Sequence, residues 1–583
     1  MTPDDIVVPA VLSETNVAYC TAPWYIQRTE YNPALCTYQA LVNGEETFRA
    51  VHLAIAAATK SVDIICWGFQ PSMFFIRDYR APSIGELLRS KAAAGVRVRV
   101  LGWEMFLNTA GFAGEANLPG KFPNLFGRAL QNSTRQQHEY DRLWFFNHAV
   151  KDDKAAYRLG GNTPLFVSRG FNALERLKIG WQVGREAHDT EISAAMLNTL
   201  MSTATHHQKS VLADYEDPER AVGFVMGHNM LDEYWDTDAH SALNRSTYDW
   251  PEPNGGARGF TPRQDISSKI TGPILEHLHH NFAQAWKKET GEDLLQKRPV
   301  EALASQLKCA PGKLQMAQLL RTQVQEGARD IEQAYLQAVN NATQFIYIEN
   351  QYFRWPPLAE AIKKAAADQT RAGRDPGLHG ALHLFVVTNA TDDGIGKGTV
   401  NTQRMLEALG RADTIPELTK LRRIEQLGKQ QLSAEELAKK TEEIQKSHIK
   451  MEDIPGLKVH VCALVAKDSP AGQPWMPVYI HSKLMIVNDV FTTHGSANIN
   501  TRSMQVDSEL NIAHEWASVT TDLRRRLWKL HAGEEGAGDD IEETFRAWER
   551  IIKRNKGLMQ DLQAPSASLV EFYYGNATAW TWD

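Results

Sequence analysis

Apolar residues along this chain fall into short runs set between helical stretches, and the same order of elements is made twice. In the first round a helix near Val51–Ala58 leads into the apolar run Val62-Asp63-Ile64-Ile65-Cys66, of strand length. A second helix is opened by Ser83 with Glu86 three residues on, a capping-box pattern, and closes near Gly95. The run Val96-Arg97-Val98-Arg99-Val100-Leu101 then alternates, which predicts a half-buried strand with both arginines toward solvent. The second round has a helix near Ile331–Val339, the run Phe345–Ile348, a helix starting at Leu358 after Pro357, and the run Leu382–Val387. Helix alternating with apolar strand implies an α/β layered architecture.

Two segments interrupt this scheme. Asp236–Phe260 carries Pro251, Pro253 and Asn254-Gly255-Gly256, a turn-rich stretch that is either a wall of a cleft or a passive surface loop. Pro416–Lys450, rich in Glu, Lys, Gln and Leu, predicts one or two exposed helices, most simply a solvated face.

Each round ends in the same tripeptide pattern. The first copy reads His207-x-Lys209-x4-Asp214, followed by Gly227-His228-Asn229 and, further on, Asp265. The second reads His481-x-Lys483, then Gly495-Ser496-Ala497-Asn498 and Asp507-Ser508-Glu509. One H-x-K triplet is expected about once by chance in a chain this long, so the meaning lies in two copies with matching tails. In extended backbone residues i and i+2 share a face, so each His projects with its Lys. Two imidazoles and two ammonium groups suit a phosphodiester: one ring to attack phosphorus, the other to protonate the departing alcohol, and fixed charge around the oxygens. Lys209, Asn229, Lys483, Ser496 and Asn498 are the candidate phosphate donors.

These residues resemble the signature of the phospholipase D superfamily, H-x-K-x4-D-x6-G-S/G-x-N in two copies. Ile346–Phe353 is similar to the segment between the motifs in eukaryotic and secreted bacterial phospholipases D, and Leu523–Trp528 to the helix closing such domains. The resemblance runs from about Val51 to His531, and Gly227–Asp236 looks most like the antibacterial phospholipase effectors of type VI secretion systems.

The resemblance implies two phospholipase D-like α/β sandwich halves, each a mixed sheet flanked by helices, related by a pseudo-twofold axis with the active site between them. The halves would be residues 1–300 and 301–583, the charged helical insertion lying at about 416–450. It further implies His207 as nucleophile through a phosphohistidine, His481 as acid and then base, and carboxylates orienting each ring: Asp265 for His207 and Glu509 for His481. Asp236 is a rival for the first of these roles, with a loop anchor as its plainer fate. Two departures stand out: Asn488 replaces the motif aspartate of the second copy, with Asp489 after it, and the first copy carries His228 where a second Gly or Ser is expected. His206, His228 and His494 lie out of register and read as packing or supporting residues.

The net charge of −7 offers no global attraction to nucleic acid or anionic lipid. Five cysteines, Cys20, Cys36, Cys66, Cys309 and Cys462, lack metal-ligand spacing and read as inert thiols. With no H-E-x-x-H, Cys/His quartet or EF-hand loop, no metal or cofactor is expected, although calcium that tightens lipid contact stays open. The acidic start Met1–Asp5 does not read as an export signal, and no run approaches a membrane span. Trp475, Tyr479, Phe572-Tyr573-Tyr574, Trp580 and Trp582 have amphipathic rings suited to a lipid interface, but packing explains them more simply.

The leading expectation is a phospholipase D acting on membrane phospholipids as an antibacterial toxin. It would be made in the cytoplasm and passed by a type VI system into the target periplasm, with a spike or adaptor and an immunity protein as partners. A nuclease uses the same chemistry but wants a basic, aromatic-interleaved stripe. A phosphatidyltransferase of the cardiolipin-synthase kind and a catalytically dead membrane-binding module are the other readings.

Overall fold

The computed structural model describes residues 23–104, 118–119, 133–150, 162–189, 191–245, 250–298 and 303–581. The acidic start, Cys20, Trp582 and part of the 236–260 loop lie outside them. Strands in the first part of the chain are β1 (Ala34–Val42), β2 (Ser61–Cys66), β3 (Arg97–Trp103), β4 (Ala149–Val150), β5 (Leu165–Arg169), β6 (Ser210–Ala213), β7 (Val222–Met226), β8 (Arg263–Gln264) and β9 (Ile266–Thr271). Those in the second are β10 (Leu314–Gln323), β11 (Ala328–Arg329), β12 (Phe345–Asn350), β13 (Leu382–Val387), β14 (Leu457–Val465), β15 (Pro477–Ile480), β16 (Lys483–Val487), β17 (Phe491–Gly495), β18 (Glu509–His514) and β19 (Leu569–Glu571).

Pairing makes one continuous mixed sheet with the same order read from either side. Going inward, β5, β3 and β2 are parallel neighbours, and β6, β7, β9 and β1 follow antiparallel. From the other side β14, β13 and β12 are parallel, and β16, β17, β18 and β10 follow antiparallel. The two series meet where β1 pairs antiparallel with β10.

Both faces of the sheet are covered. Val62 and Ile64 of β2 with Val98 and Val100 of β3 pack toward the helices Asn43–Ala57 and Ile84–Ala93, whereas Ile65 and Leu101 pack toward the helix Leu275–Thr290. In β12, Ile346 and Ile348 point to one core and Phe345 and Tyr347 to the other, against Trp528 and Trp548. Parallel strands covered in this way read as nearly continuous apolar runs, which is why they were legible.

The expected elements are present, although the first helix, expected near Val51–Ala58, begins earlier and spans Asn43–Ala57. Ser83 and Glu86 close the full capping box on Ile84–Ala93, and the helix expected from Leu358 begins two residues earlier, at Pro356. The 416–450 insertion forms two helices, Pro416–Leu427 and Ala434–Lys446, the second with no buried residue. One expectation fails: Arg97 is exposed, but Arg99 is buried and donates to Asp63 at 3.1 Å. Alternation marks a half-buried strand only when one face is open, and here Leu275–Thr290 covers the second face while Asp63 supplies the counter-charge. Trp475, Phe572 and Tyr574 are buried, as packing residues should be. Among the described residues no helix is long and apolar enough to cross a membrane.

Candidate active site

Each motif histidine sits just before a central strand, His207 before β6 and His481 before β16, and backbone pairing across the halves fixes both. His207 N–H donates to Ser508 O at 2.8 Å, and Ser508 N–H to Thr205 O at 3.0 Å. His481 N–H donates to Gln264 O at 2.8 Å, where β15 runs parallel to β8. The residue after Ser508 is Glu509 and the residue after Gln264 is Asp265, so each carboxylate is delivered to the histidine of the opposite half. His207 Nδ1 lies 3.0 Å from both Glu509 oxygens, and His481 Nδ1 lies 2.6 Å from Asp265 Oδ2. The expected pairing of Asp265 with His207 and Glu509 with His481 is therefore exchanged. Offsets along the sequence cannot reveal a contact that crosses from one half to the other.

Register also corrects the alignment of the two tails. Met226 pairs with Ser267 and Gly495 with Asn511, each partner two residues beyond its carboxylate. Gly227 N–H donates to Ile266 O and Ser496 N–H to Leu510 O. Gly227 thus stands in the place of Ser496, His228 in that of Ala497, and Asn229 in that of Asn498. The odd residue of the first copy is Met226, where the second has Gly495. A side chain at Gly227 would put Cβ 2.4 Å from Asp265 Oδ1, so the position must be glycine. In the second copy the Ser496 hydroxyl donates to Glu509 Oε2 at 2.6 Å. Its one hydrogen is then unavailable to the phosphate, against the expectation that Ser496 is a phosphate donor.

The two lysines behave alike: Lys209 Nζ donates to His207 O at 2.8 Å, and Lys483 Nζ to His481 O and, at 3.0 Å, to Gln351 Oε1. Both ammonium groups act on both rings, so the motifs converge on one site. Asn229 and Asn498 are buried. Sequence reasoning missed the aromatic walls. Trp67 meets the His207 ring edge-on at 4.8 Å and stacks on Trp103, and Tyr234 meets His481 at 4.7 Å. It also gave Glu349 no role, although Glu349 lies in the recognised 346–353 stretch. This buried carboxylate accepts from Gln264, Tyr347 and His531 at 2.9, 2.7 and 2.8 Å, tying the approach to Asp265 into the second half.

The carboxylates differ in their affinity for protons. Burial works to raise Asp265, but His228 and His481 beside it hold it well below the ordinary carboxylate range. Burial pushes Glu509 up to about 7, against the pull of Lys209 and the Ser496 and Ser503 hydroxyls. Burial, then Lys209 and Lys483, push His207 well below the usual imidazole range. His481 is lowered by burial and Lys483 too, but Asp265 opposes the shift.

The remaining expectations resolve plainly. Asp214 accepts from Thr59, Lys60 and Ser61 N–H, and Asn488 accepts from Thr343, Gln344 and Phe345 N–H through Oδ1. Both residues have positive φ, 53° and 55°. Asn488 thus takes over the bracing of the turn before its neighbouring strand, and Asp489 pairs with Arg524 at 2.7 Å. Asp236 anchors its loop through Arg245, Thr237 N–H and Arg263 N–H and touches neither the His207 nor the His481 ring. His206 donates to or accepts from Ser508 Oγ at 2.7 Å, His228 likewise with Ser267 Oγ at 2.8 Å, and His494 is buried in packing.

No protein-family model matches the chain. It is 26% identical over 582 aligned residues to phospholipase D alpha 2 of Brassica oleracea var. capitata, covering 84% of this chain and 63% of that one. It is 25% identical over 585 residues to phospholipase D alpha 1 of Oryza sativa subsp. japonica, covering 86% and 65%. The chain therefore spans less than two thirds of the length of these relatives. A solved phosphatidylserine synthase from Haemophilus influenzae Rd KW20 aligns over 90% of this chain and 95% of its own, with a TM-score of 0.41 and 12% identity. Both curated relatives are phospholipases D.

Proposed function

We propose that this chain is a phospholipase D, which hydrolyses the distal phosphodiester of membrane glycerophospholipids to phosphatidic acid and the head-group alcohol. One observation carries the reading: two imidazoles, each on a carboxylate from the opposite half, each with its motif lysine bonded to the histidine's own carbonyl. His207 Nε2 attacks phosphorus as the bond to the head-group oxygen breaks, and His481 gives that oxygen its proton. Water then attacks the phosphohistidine, His481 takes the water proton, and phosphatidic acid leaves with His207 restored. Lys209 and Lys483 offset the charge gathering on the oxygens, and the amides of Asn229 and Asn498 can donate to them.

The division of labour follows from the carboxylates. An anionic Asp265 at 2.6 Å favours the proton on His481, whereas Glu509 near neutrality holds less charge against His207, which favours the neutral nucleophile. The pH profile of kcat/KM is then a bell, with protonation of His207 as the acid limb and proton loss from His481 as the alkaline limb. Because both rings are lowered, its top lies on the acid side of the ordinary imidazole value, about 6.5.

The test incubates the protein and its His207→Ala and His481→Ala variants with phospholipid vesicles and, separately, with DNA. Phosphatidic acid from the wild type alone is expected. Nicked DNA without lipid turnover would move the activity to nucleic acid. We also read the chain as a type VI antibacterial toxin delivered to the target periplasm, with a delivery spike or adaptor and an immunity protein. That reading rests on the likeness of Gly227–Asp236 to such effectors. Expression directed to the periplasm should then kill where cytoplasmic expression does not, and equal toxicity in both would reject it.

A further inference from the structure

The helix Ala173–Glu186 leaves β5 beside the site, and its two faces differ sharply. Inward, Ile179 and Val183 pack with Phe171, Leu200 and Val506, in the segments that lead to His207 and Glu509. Phe171 stacks on His206 at 4.0 Å, and Arg176 caps the carbonyls of Met201, Ser202 and Ala204. Outward, Leu174, Leu177 and Trp181 are 72%, 59% and 62% exposed. At about 100° per residue these three, with Lys178 and Arg185, fall within an arc of about 100° facing away from the protein.

Charge on this face is of one sign. Glu175 is paired with Lys288, and Glu186 lies 3.3 Å from Arg329, whereas Arg185 sits over the Trp181 ring at 5.1 Å. Apolar side chains with an indole among them and cations at their rim match the boundary between acyl chains and phosphates, where indoles settle and long basic side chains reach the head groups.

Resting on the phospholipase reading, we propose that this helix face is a docking surface for a phospholipid bilayer, which seats the cleft mouth at the head-group plane. The experiment uses the full chain and vesicles of equal parts phosphatidylcholine and phosphatidylglycerol. Leu177→Ser with Trp181→Ala should lower vesicle co-sedimentation and vesicle turnover by about tenfold or more, tenfold being the scale of removing one large apolar contact. Hydrolysis of a short-chain phospholipid kept monomeric should be unchanged, and Leu378→Ser, an exposed leucine elsewhere, should alter neither. Lys178→Glu with Arg185→Glu should weaken binding further as phosphatidylglycerol is increased.

Unchanged vesicle binding in both double variants overturns the surface. So does a loss of binding that accompanies a change from dimer to monomer in sedimentation velocity, which would give the face to a second copy of the chain. If wild type cleaves neither monomeric nor vesicle lipid, the phospholipase reading fails, while co-sedimentation still decides the docking face.

Discussion

His481 on Asp265 and His207 on Glu509 are built on one backbone frame yet differ in proton chemistry. Asp265 is held ionised by two neighbouring imidazoles, whereas burial pushes Glu509 up to about 7 despite the Ser496 and Ser503 hydroxyls that donate to it. A repeated frame can thus keep its hydrogen-bond register while the side chains at its buried end differ in proton affinity, the difference on which the proposed roles of nucleophile and acid rest.

The strongest way to break this comparison is to remove the rings. His207→Ala and His481→Ala should each lower kcat by about 10³-fold or more, measured as phosphatidic acid release from vesicles. Comparable activity in either variant would mean that the two rings do not act as a pair. Next come the crossed carboxylates. Asp265→Asn should cost about 10²–10⁴ in kcat by loosening and mis-tautomerising His481, and Glu509→Gln should cost less, since a glutamate near its titration point gives up less charge. The reverse order would exchange the roles of the halves.

Glu509→Gln has a second signature, in stability. A carboxyl whose affinity for protons is raised by folding stabilises fully below its ordinary value of 4.5, and that contribution is lost as pH rises to about 7. The Tm of the variant relative to wild type should therefore climb from pH 4.5 to about 7 and then level off, as read by calorimetry. A flat difference would mean that Glu509 ionises normally. The smallest effect belongs to the braced turns: Asn488→Asp should change stability by less than about 1 kcal/mol, because the same three N–H groups find an acceptor, whereas Asn488→Ala should cost about 1–3 kcal/mol.

The sheet and its flanking helices were legible because β2, β12 and β13 are nearly continuous apolar runs, and β3 an alternating one, between helical stretches. The histidines, lysines and asparagines were legible from their repetition. What escaped was whatever depends on which strands and faces meet: the crossing of Asp265 and Glu509 between the halves, the true place of Met226 opposite Ser267, and the burial of Arg99 against Asp63. Trp67 and Tyr234 carry no local signal either, since each reaches its imidazole only after the chain has folded.

The division of labour meets its most direct test in acid-quenched turnover of a vesicle phospholipid, with the phosphorus–nitrogen adduct located by mass spectrometry. The adduct is expected on His207 in the wild type and absent from His207→Ala. An adduct on His481, or on a residue outside the cleft, would contradict the assignment.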